Sequence, residues 1–508
     1  MSESKPNQEK WRAEALRDER KARLASMKSK DGGKKPVRTS NKLATLITAL
    51  VVIVVLIGAG IWWVFSIGVP QRSANALTIG SEKISAAEFN YYYYSQLSYY
   101  SIDPSTDDGQ TTLRSAYDET YPTVADYLKD QAAKELQQSV VLTQAAADAG
   151  VKLDATDLTS VENYMTNIKN YAASEGKTVE NYLIASYGKG LNEAIMRKII
   201  ERYVLSDKYS RQLQDSYVFT ETDIRNYYND NKNDFDQVTY RSFYIAADIK
   251  TGATDEEKKT AMTAAKSKTD EMFGKISSEA DFKAMCIEYA ADETEAKKYT
   301  DTDASLKENA PLSSIYVEDQ SKWLFDAARK SGDKTVIEST AGYYIFYFVS
   351  REQNTTEHVS VRHILIKADR DTASEAEIAA AKAKAEEILN GYLAGARTED
   401  SFAALVADNT ADPGSAATGG LYSDISPSSS YVEEFLAWAV DDTRKVGDTG
   451  IVQTDFGFHI MYFVGIDSIQ WKIDVKNTLI SEKYNAWLEE QATAKPYVLD
   501  SFGMRFVG

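Results

Sequence analysis

The chain has 508 residues, of which 43% are hydrophobic and 26% charged. It is therefore too long for one domain and has enough apolar material for several packed cores. Its net charge of −18 argues against nucleic acid as the main partner. Three histidines and one cysteine give little support for a histidine- or thiol-based metal site.

The charge is unevenly distributed along the chain. Residues 1–42 hold thirteen Lys and Arg against six Asp and Glu, a balance of +7, so the residues after 42 must carry −25 to give the total. Residues 43–69 contain no charged side chain. About 20 apolar helical residues span the roughly 30 Å hydrocarbon core of a bilayer. Residues 43–69 are therefore predicted to form a transmembrane helix, with Trp62 and Trp63 near its outer interface.

The basic flank predicts a cytoplasmic tail at 1–42 and export of everything after residue 69, which makes the chain a single-pass protein of the cell membrane. The alternative is a cleaved signal peptide, since Ala74 and Ala76 form an A-x-A pattern. The length of the apolar run and of the polar leader favours an uncleaved anchor. The single cysteine, Cys286, cannot form an internal disulfide, which fits a Gram-positive surface better than an oxidising secretory pathway.

Residues 76–236 have helical periodicity and are rich in tyrosine. Ser85 followed by Glu88 predicts a helix start, and Gly150 a helix end. Tyrosines that repeat on helix faces could line a groove for extended chains, because each offers apolar area with a polar tip. Ordinary half-buried helix positions are the alternative.

After Gln237 the pattern changes to strands, and one order of elements occurs twice. Three segments align in order and without internal gaps: Val238–Asp248 with Val359–Asp369, Phe282–Asp292 with Phe402–Asp412, and the closing stretches that begin at Gly332 and Gly447. Three ordered matches indicate an internal duplication. We term residues 237–352 the first repeat and residues 356–467 the second repeat. Residues 468–508 return to helical periodicity and are predicted to pack as a C-terminal helix on the region 76–236.

The second repeat resembles the parvulin, or PpiC-type, family of peptidyl-prolyl isomerases. The resemblance rests on VRHILI, FAALVADNTADPGS, the glycine pair of TGGLY, VEEF and QTDFGFHIMYF, which follow one another as in the family. The whole arrangement is similar to the PrsA/SurA-type extracytoplasmic foldases. The fold class implied is α+β. It comprises a transmembrane helix, a mostly helical chaperone domain, two parvulin-like domains with four-stranded antiparallel sheets wrapped by helices, and a C-terminal helix.

The same resemblance implies the residues of the site. His363 and His459 match a buried histidine pair, Thr454 the hydroxyl that supports the pair, and Asp412 the family's cysteine or aspartate beside the substrate amide. The residues predicted to bind substrate are Leu421, Tyr431, Phe435 and Phe456. No cofactor and no metal are implied. Two alternatives stay open: the histidines could be core polar groups alone, and Asp412 could instead fix its loop by an Asx-type bond.

The first repeat keeps the strand pattern without the histidines. Ser242 stands at the position of His363, and Tyr344 at that of His459, while Asp292 and Ser339 persist. We therefore expect the first repeat to lack isomerase activity and to serve binding or architecture.

The predicted function is that of an extracytoplasmic foldase. It would isomerise X-Pro bonds in exported proteins and bind unfolded or newly exported polypeptides. Two departures from the family keep a catalytically silent holdase as the alternative: GGLYS lacks the usual polar residue after the glycines, and Tyr431 replaces a common methionine. The oligomeric state stays open.

Overall fold

The computed structural model describes residues 68–508 and, before them, residues 15–23, 50–55 and 64. The two short stretches are helical. The predicted cytoplasmic tail 1–42 and transmembrane helix 43–69 lie largely outside the described residues. Within the described part of the chain, none of the helices has both the length and the apolar character needed to cross a bilayer.

The described chain from Val69 onward alternates long helical stretches with short strands. In chain order the helices are α1 Val69–Ser73, α2 Ala86–Tyr99, α3 Asp107–Arg114, α4 Val124–Asp148, α5 Ala155–Ser174, α6 Val179–Tyr187, α7 Glu193–Asp215, α8 Glu221–Asp230, α9 Lys232–Phe235, α10 Asp255–Lys275, α11 Glu279–Tyr289, α12 Glu293–Asp301, α13 Glu318–Leu324, α14 Glu375–Ala394, α15 Glu399–Asn409, α16 Glu433–Ala439 and α17 Gln470–Ala494. The strands are β1 Asn75–Ile79, β2 Glu82–Ser85, β3 Asp236–Ala246, β4 Leu306–Pro311, β5 Lys334–Ser339, β6 Gly342–Gln353, β7 Glu357–Lys367, β8 Leu421–Ile425, β9 Thr449–Thr454, β10 Gly457–Ile469 and β11 Tyr497–Leu499.

The chain divides into two compact units. The first comprises the described residues up to Asp207 together with Ala492–Gly508, and the second comprises Lys208–Gln491. The division falls within α7. The change of hydrophobic period in the sequence predicts a boundary at residue 236 instead. A change of period marks where strands begin, whereas a compact unit is delimited by packing, and α8 and α9 pack with the second unit.

The first unit is a helical core with one small sheet. The predicted helix start is present, because the Oγ atom of Ser85 accepts a hydrogen bond from the Glu88 amide at 3.2 Å. Phe89 of α2 and Leu136 of α4 are fully buried in one shared apolar core. The sheet has the order β11-β1-β2 and is antiparallel, with Leu77 opposite Leu499. The helical prediction for 76–236 therefore missed two strands at its start.

The C-terminal residues depart from the predicted single helix. Helix α17 ends at Ala494, and β11 then adds a third strand to the sheet of the first unit. Pro496 explains the change, because proline has no amide hydrogen and disfavours helix in the residue before it. Helix α17 packs on α8 and α9, which lie within 76–236, and the residues after it join the first unit as a strand.

The second unit contains two four-stranded antiparallel sheets of the same topology. Their orders are β4-β3-β6-β5 in the first repeat and β8-β7-β10-β9 in the second. The registers also correspond, since Ser242 lies opposite Phe346 and His363 lies opposite Met461. The strand pairing thus places Ser242 and His363 at equivalent positions of two equivalent sheets.

Each sheet of the second unit is covered by a long and a short helix. In the first repeat, α10 and α11 bury Met272 and Phe282 against the sheet. In the second, α14 and α15 bury Ala385 and Phe402 against β7 and β10. This covering leaves the ends of β7, β8 and β10 in the second repeat to line a cavity.

Candidate active site

A cavity of about 530 Å³ opens on the sheet of the second repeat. Strands β7, β8 and β10 contribute to it, together with α16 and the loops that follow α15 and β9. Its lining is mainly apolar and aromatic: His363, Leu365, Lys367, Ala411, Asp412, Pro413, Tyr422, Ser430, Tyr431, Val432, Phe435, Phe456 and His459. A mostly apolar hollow with a few convergent polar groups is the usual form of a small binding site.

The two predicted histidines meet in the middle of this site. Their Nδ1 atoms are 3.0 Å apart, and their rings are stacked with centroids 5.2 Å apart. His459 Nε2 lies 2.9 Å from the hydroxyl of Thr454, and His363 Nε2 lies 2.9 Å from Asp412 Oδ2. The four residues predicted to be catalytic therefore form one continuous hydrogen-bonded chain. We term it the polar chain.

The ends of the polar chain determine how its protons are arranged. An ionised carboxylate only accepts hydrogen bonds, so His363 Nε2–H donates to Asp412. His363 Nδ1 is then the acceptor for His459 Nδ1–H, and His459 Nε2 accepts from the Thr454 hydroxyl. The Thr454 oxygen in turn accepts from the Phe456 amide at 3.2 Å. With both imidazoles neutral, every hydrogen bond of the polar chain therefore has one donor and one acceptor.

Burial favours the same neutral forms. It lowers the pKa of His459 to about 4, with a further contribution from the neighbouring His363. Burial also lowers the pKa of His363, although Asp412 opposes this effect. Both rings are consequently neutral near pH 7. All four of their ring nitrogens are engaged in the polar chain, so the pair holds its neighbours in position.

Asp412 makes the predicted turn bond and also belongs to the polar chain, while its role beside a substrate amide stays a prediction. Its Oδ1 accepts from the Gly414 amide at 3.1 Å, which is the Asx-type turn bond. Its Oδ2 accepts from His363, from Tyr422 and from both the amide and the hydroxyl of Ser415. Burial opposes ionisation of this carboxyl, but the hydrogen bonds outweigh it and hold the pKa of Asp412 well below its usual range.

Aromatic side chains form the apolar wall of the cavity. Phe435 is buried, and its ring meets those of His363 and His459 edge-on, with centroids 5.4 and 5.5 Å away. Tyr431 stacks on Phe435 at 5.3 Å. Phe456 is 53% exposed at the rim. Three of the four residues predicted to bind substrate therefore line the cavity.

The fourth residue predicted to bind substrate, Leu421, does not line the cavity. Leu421 lies opposite Arg362, whereas Tyr422 lies opposite Val361 and lines the cavity. Side chains alternate between the faces of a strand, so Val361, His363 and Tyr422 share one face while Leu421 is on the other. The family motif therefore places the residue that faces the pocket one position too early on β8.

Two residues of the site were missed from the sequence. The Ser415 hydroxyl is fully buried, 2.5 Å from Asp412 Oδ2 and 3.1 Å from His363 Nε2. Tyr422 joins the wall and the polar chain through its ring and its phenol. The alternation of β8 is the signal that could have identified Tyr422. Ser415 is the last residue of the motif FAALVADNTADPGS, which is the signal that could have identified it.

The glycine pair before β8 has a steric role. Gly420 has φ +76°, and a side-chain carbon there would lie 2.3 Å from the carbonyl oxygen of His363. The Gly420 carbonyl in turn accepts from the His363 amide at 2.9 Å. The pair thus lets the loop after Asp412 approach β7 closely, beside the histidine.

The first repeat has a different arrangement at the equivalent positions. Tyr344 packs against Tyr244 and Phe346, with ring centroids 4.5 and 6.0 Å away. Asp292 caps α12 by accepting from the Glu295 amide, so it serves as a helix cap rather than as part of a site. An aromatic cluster therefore occupies the place of the polar chain.

Comparison with protein families identifies the second repeat. Residues 343–464 match the PPIC-type PPIase domain model. The match begins on β6, the long strand of the first sheet, and covers the cavity and the whole polar chain. The second repeat is a parvulin domain. The predicted parvulin-type isomerase is thereby confirmed.

Over most of its length the chain is similar to proteins described as chaperones or as a peptidylprolyl isomerase. It is 20% identical to the Chaperone SurA of Nitrosococcus oceani over 379 residues, 72% of this chain and 82% of that protein. A peptidylprolyl isomerase PrsA of Bacillus anthracis is 12% identical over 71% of this chain and 95% of its own, with a TM-score of 0.19. A SurA-like chaperone of Campylobacter jejuni is 12% identical over 83% and 96%, with a TM-score of 0.17. These TM-scores are too low to establish a common arrangement of the whole chains.

Proposed function

We propose that this chain is a membrane-anchored extracytoplasmic foldase that isomerises X-Pro peptide bonds in exported proteins and binds unfolded polypeptides. One observation carries the catalytic part. The polar chain of the parvulin domain ends in an ionised carboxylate that faces an aromatic cavity.

The cavity suits the demands of the reaction. Rotation about an X-Pro bond meets a barrier of about 20 kcal/mol, because amide resonance must be lost. No covalent bond is made or broken, so the domain has to hold the proline ring, exclude water and favour the twisted amide. Phe435 and Tyr431 provide apolar surface for the ring, and Asp412 and His363 provide fixed polar groups beside it.

The charge on Asp412 supplies the preference for the twisted state. In a planar amide, resonance places partial negative charge on the carbonyl oxygen, and rotation removes that charge. A carboxylate held beside this oxygen repels the planar forms more than the twisted one. The hydrogen bonds on Asp412 hold the group charged and oriented before substrate arrives, which is the preorganisation that lowers a barrier.

Client binding and membrane anchoring rest on other observations. The similarity to Chaperone SurA over 72% of the chain supports the binding of unfolded polypeptides, for which the tyrosine-rich region 76–236 offers apolar and polar surface. The uncharged run at 43–69 with its basic flank supports a single helical anchor and a cytoplasmic N-terminus. The resulting location is the outer face of the cell membrane.

The isomerase activity is tested by measuring cis–trans exchange of short X-Pro peptides with the full chain. We expect acceleration over the thermal rate, and loss of that acceleration when His363 is replaced by alanine. A folded wild-type chain that prevents client aggregation but does not accelerate exchange would be a holdase instead. Tyr431, which lines the pocket at a position where the family commonly has methionine, is the observation that favours that second candidate.

A further inference from the structure

Tyr422 lines the pocket at the position that the family motif assigns to Leu421, and the resemblance gives its phenol no role. It lies on β8, on the sheet face that also carries Val361 and His363. The loop before β8 approaches β7 so closely that glycine is required at position 420. This approach places a tyrosine at the junction of the apolar wall and the polar chain.

The ring of Tyr422 belongs to the wall. Its centroid is 5.5 Å from that of Tyr431 in an edge-on arrangement, and 5.2 Å from that of His363. A ring with neighbours on two sides has little rotational freedom. The position of the phenol oxygen is therefore fixed by packing as well as by its hydrogen bond.

The phenol of Tyr422 belongs to the polar chain. It donates to Asp412 Oδ2 at 3.1 Å. Burial and this bond raise the pKa of Tyr422 to about 12, so the phenol keeps its proton and remains a donor through the physiological range.

The donors to Asp412 Oδ2 come from two different parts of the domain, its own loop and the neighbouring strands. The Ser415 amide and hydroxyl belong to the same loop as Asp412 and move with it. His363 and Tyr422 project from the neighbouring strands β7 and β8. The two side chains that fix this carboxylate to the sheet are therefore a histidine and a tyrosine, one on each side.

We propose that Tyr422 is a positioning residue of the isomerase, whose phenol holds the Asp412 carboxylate in its catalytic orientation while its ring forms the adjoining wall of the proline pocket. This inference rests on the isomerase activity proposed above. It accounts for a tyrosine at a position where an apolar side chain would suffice to contact proline.

The test separates the phenol from the ring. Tyr422→Phe removes the oxygen and keeps the wall, whereas Tyr422→Leu removes both. Tyr392→Phe is the matched control, because the Tyr392 hydroxyl is buried in the same domain and finds no hydrogen-bond partner among the described residues. All variants are made in the full chain and are compared with wild type for thermal unfolding and for kcat/KM on X-Pro peptides across pH.

We expect Tyr422→Phe to lower kcat/KM roughly tenfold near pH 7, the effect of one hydrogen bond to a charged group. Because Asp412 loses a donor, its protonation should also begin at higher pH, and the acid limb of the pH profile should move upward. Tyr422→Leu should in addition raise KM. Tyr392→Phe should leave both quantities at the wild-type value.

The pH profile distinguishes positioning from general packing. A purely structural role would lower activity equally at every pH and leave the acid limb in place. A folded Tyr422→Phe chain with wild-type kcat/KM and an unmoved acid limb would overturn the proposal, as would an equal loss in Tyr392→Phe. Absence of activity in the wild-type chain would instead remove the proposed isomerase function.

Discussion

At the scale of single residues, Asp412 shows how one side chain serves a turn and a site together. The Oδ1 atom accepts the turn bond from the Gly414 amide, and the Oδ2 atom accepts the hydrogen bond from His363 of the polar chain. A turn requires one acceptor, which asparagine also provides. The remaining bonds require a second acceptor with negative charge, and asparagine lacks it.

We therefore expect Asp412→Asn to preserve the fold and lower kcat/KM for X-Pro peptides by roughly a hundredfold, within the range for loss of a preorganised electrostatic group. The asparagine NH₂ group would face donors from His363, Ser415 and Tyr422. Asp292→Asn is the matched control, because asparagine caps a helix as well as aspartate does. The hypothesis fails if both variants keep full activity.

The histidine pair makes stability depend on pH. As the pH falls, an unfolded histidine binds its proton near pH 6.5, whereas folded His459 does so only at about 4. Stability is therefore full above about pH 6.5 and decreases between there and pH 4. Asp412 does not titrate in this window, because its pKa is held below its usual range. We expect a loss of about 2 kcal/mol from His459 by pH 4.5, seen in denaturant unfolding.

His459→Gln provides the control for this dependence. Glutamine does not titrate, so the variant should be less stable than wild type at pH 7.5 but should lose less on acidification. The lowered pKa of His363 leaves some dependence in place. Parallel stability curves for wild type and variant from pH 7.5 to 4.5 would contradict the assignment of neutral, buried histidines.

The site shows which residues a sequence pattern can identify. The resemblance to the parvulin family predicts His363, His459 and Thr454, because each stands within one of its motifs. The family motif predicts Leu421, and only the pairing of β8 with β7 shows that Tyr422 faces the cavity instead. The register of β8 depends on the loop that contains Gly420, and this geometry is not visible in the sequence.

At the scale of elements, the strands of the two repeats could be predicted and the small sheet of the first unit could not. Strands β3, β6, β7 and β10 are long, alternate clearly and occur in duplicate. Strands β1, β2 and β11 have five residues or fewer, and β11 is separated from its partner β1 by most of the chain. Short strands of this kind are stabilised by distant pairing, which local periodicity does not contain.

Gln137 of α4 secures this C-terminal segment within the first unit. Its buried Nε2 donates to the carbonyls of Ala492 and Lys495, each at 2.8 Å, at the end of α17 and before β11. Gln137→Leu would leave both carbonyls without this donor. We expect a loss of about 2 kcal/mol in the free energy of unfolding, measured with denaturant on the full chain.

Gln138 offers a matched control for that prediction. It is the next residue of the same helix and is exposed. Gln138→Leu should change stability by less than about 0.5 kcal/mol, as surface substitutions usually do. Equal effects of the two substitutions would show that the hydrogen bonds of Gln137 do not hold the C-terminal segment.

At the scale of the whole molecule, two sheets have the same topology, and the polar chain is present only on the sheet of the second repeat. The equivalent registers of Ser242 and His363 show that the difference lies in side chains and not in backbone. Neither equivalent position of the first repeat carries a histidine: Ser242 and Tyr344 stand there, and Tyr344 packs in an aromatic cluster. A single histidine at either position would leave one buried ring nitrogen without its partner, so the two side chains complete the polar chain only as a pair.

This division of roles predicts that all isomerase activity of the chain belongs to the second repeat. His363→Ala in the full chain should reduce exchange of X-Pro peptides to the thermal rate, because the first repeat has no polar chain to substitute for it. Suppression of aggregation of an unfolded client should persist, since it does not require the histidine. Ser242→Ala at the equivalent position is the matched control and should change neither property. Residual catalysis in a folded His363→Ala chain that disappears when Tyr344 is also replaced by alanine would show that the first repeat is active, and would reject the assignment of chemistry to one repeat.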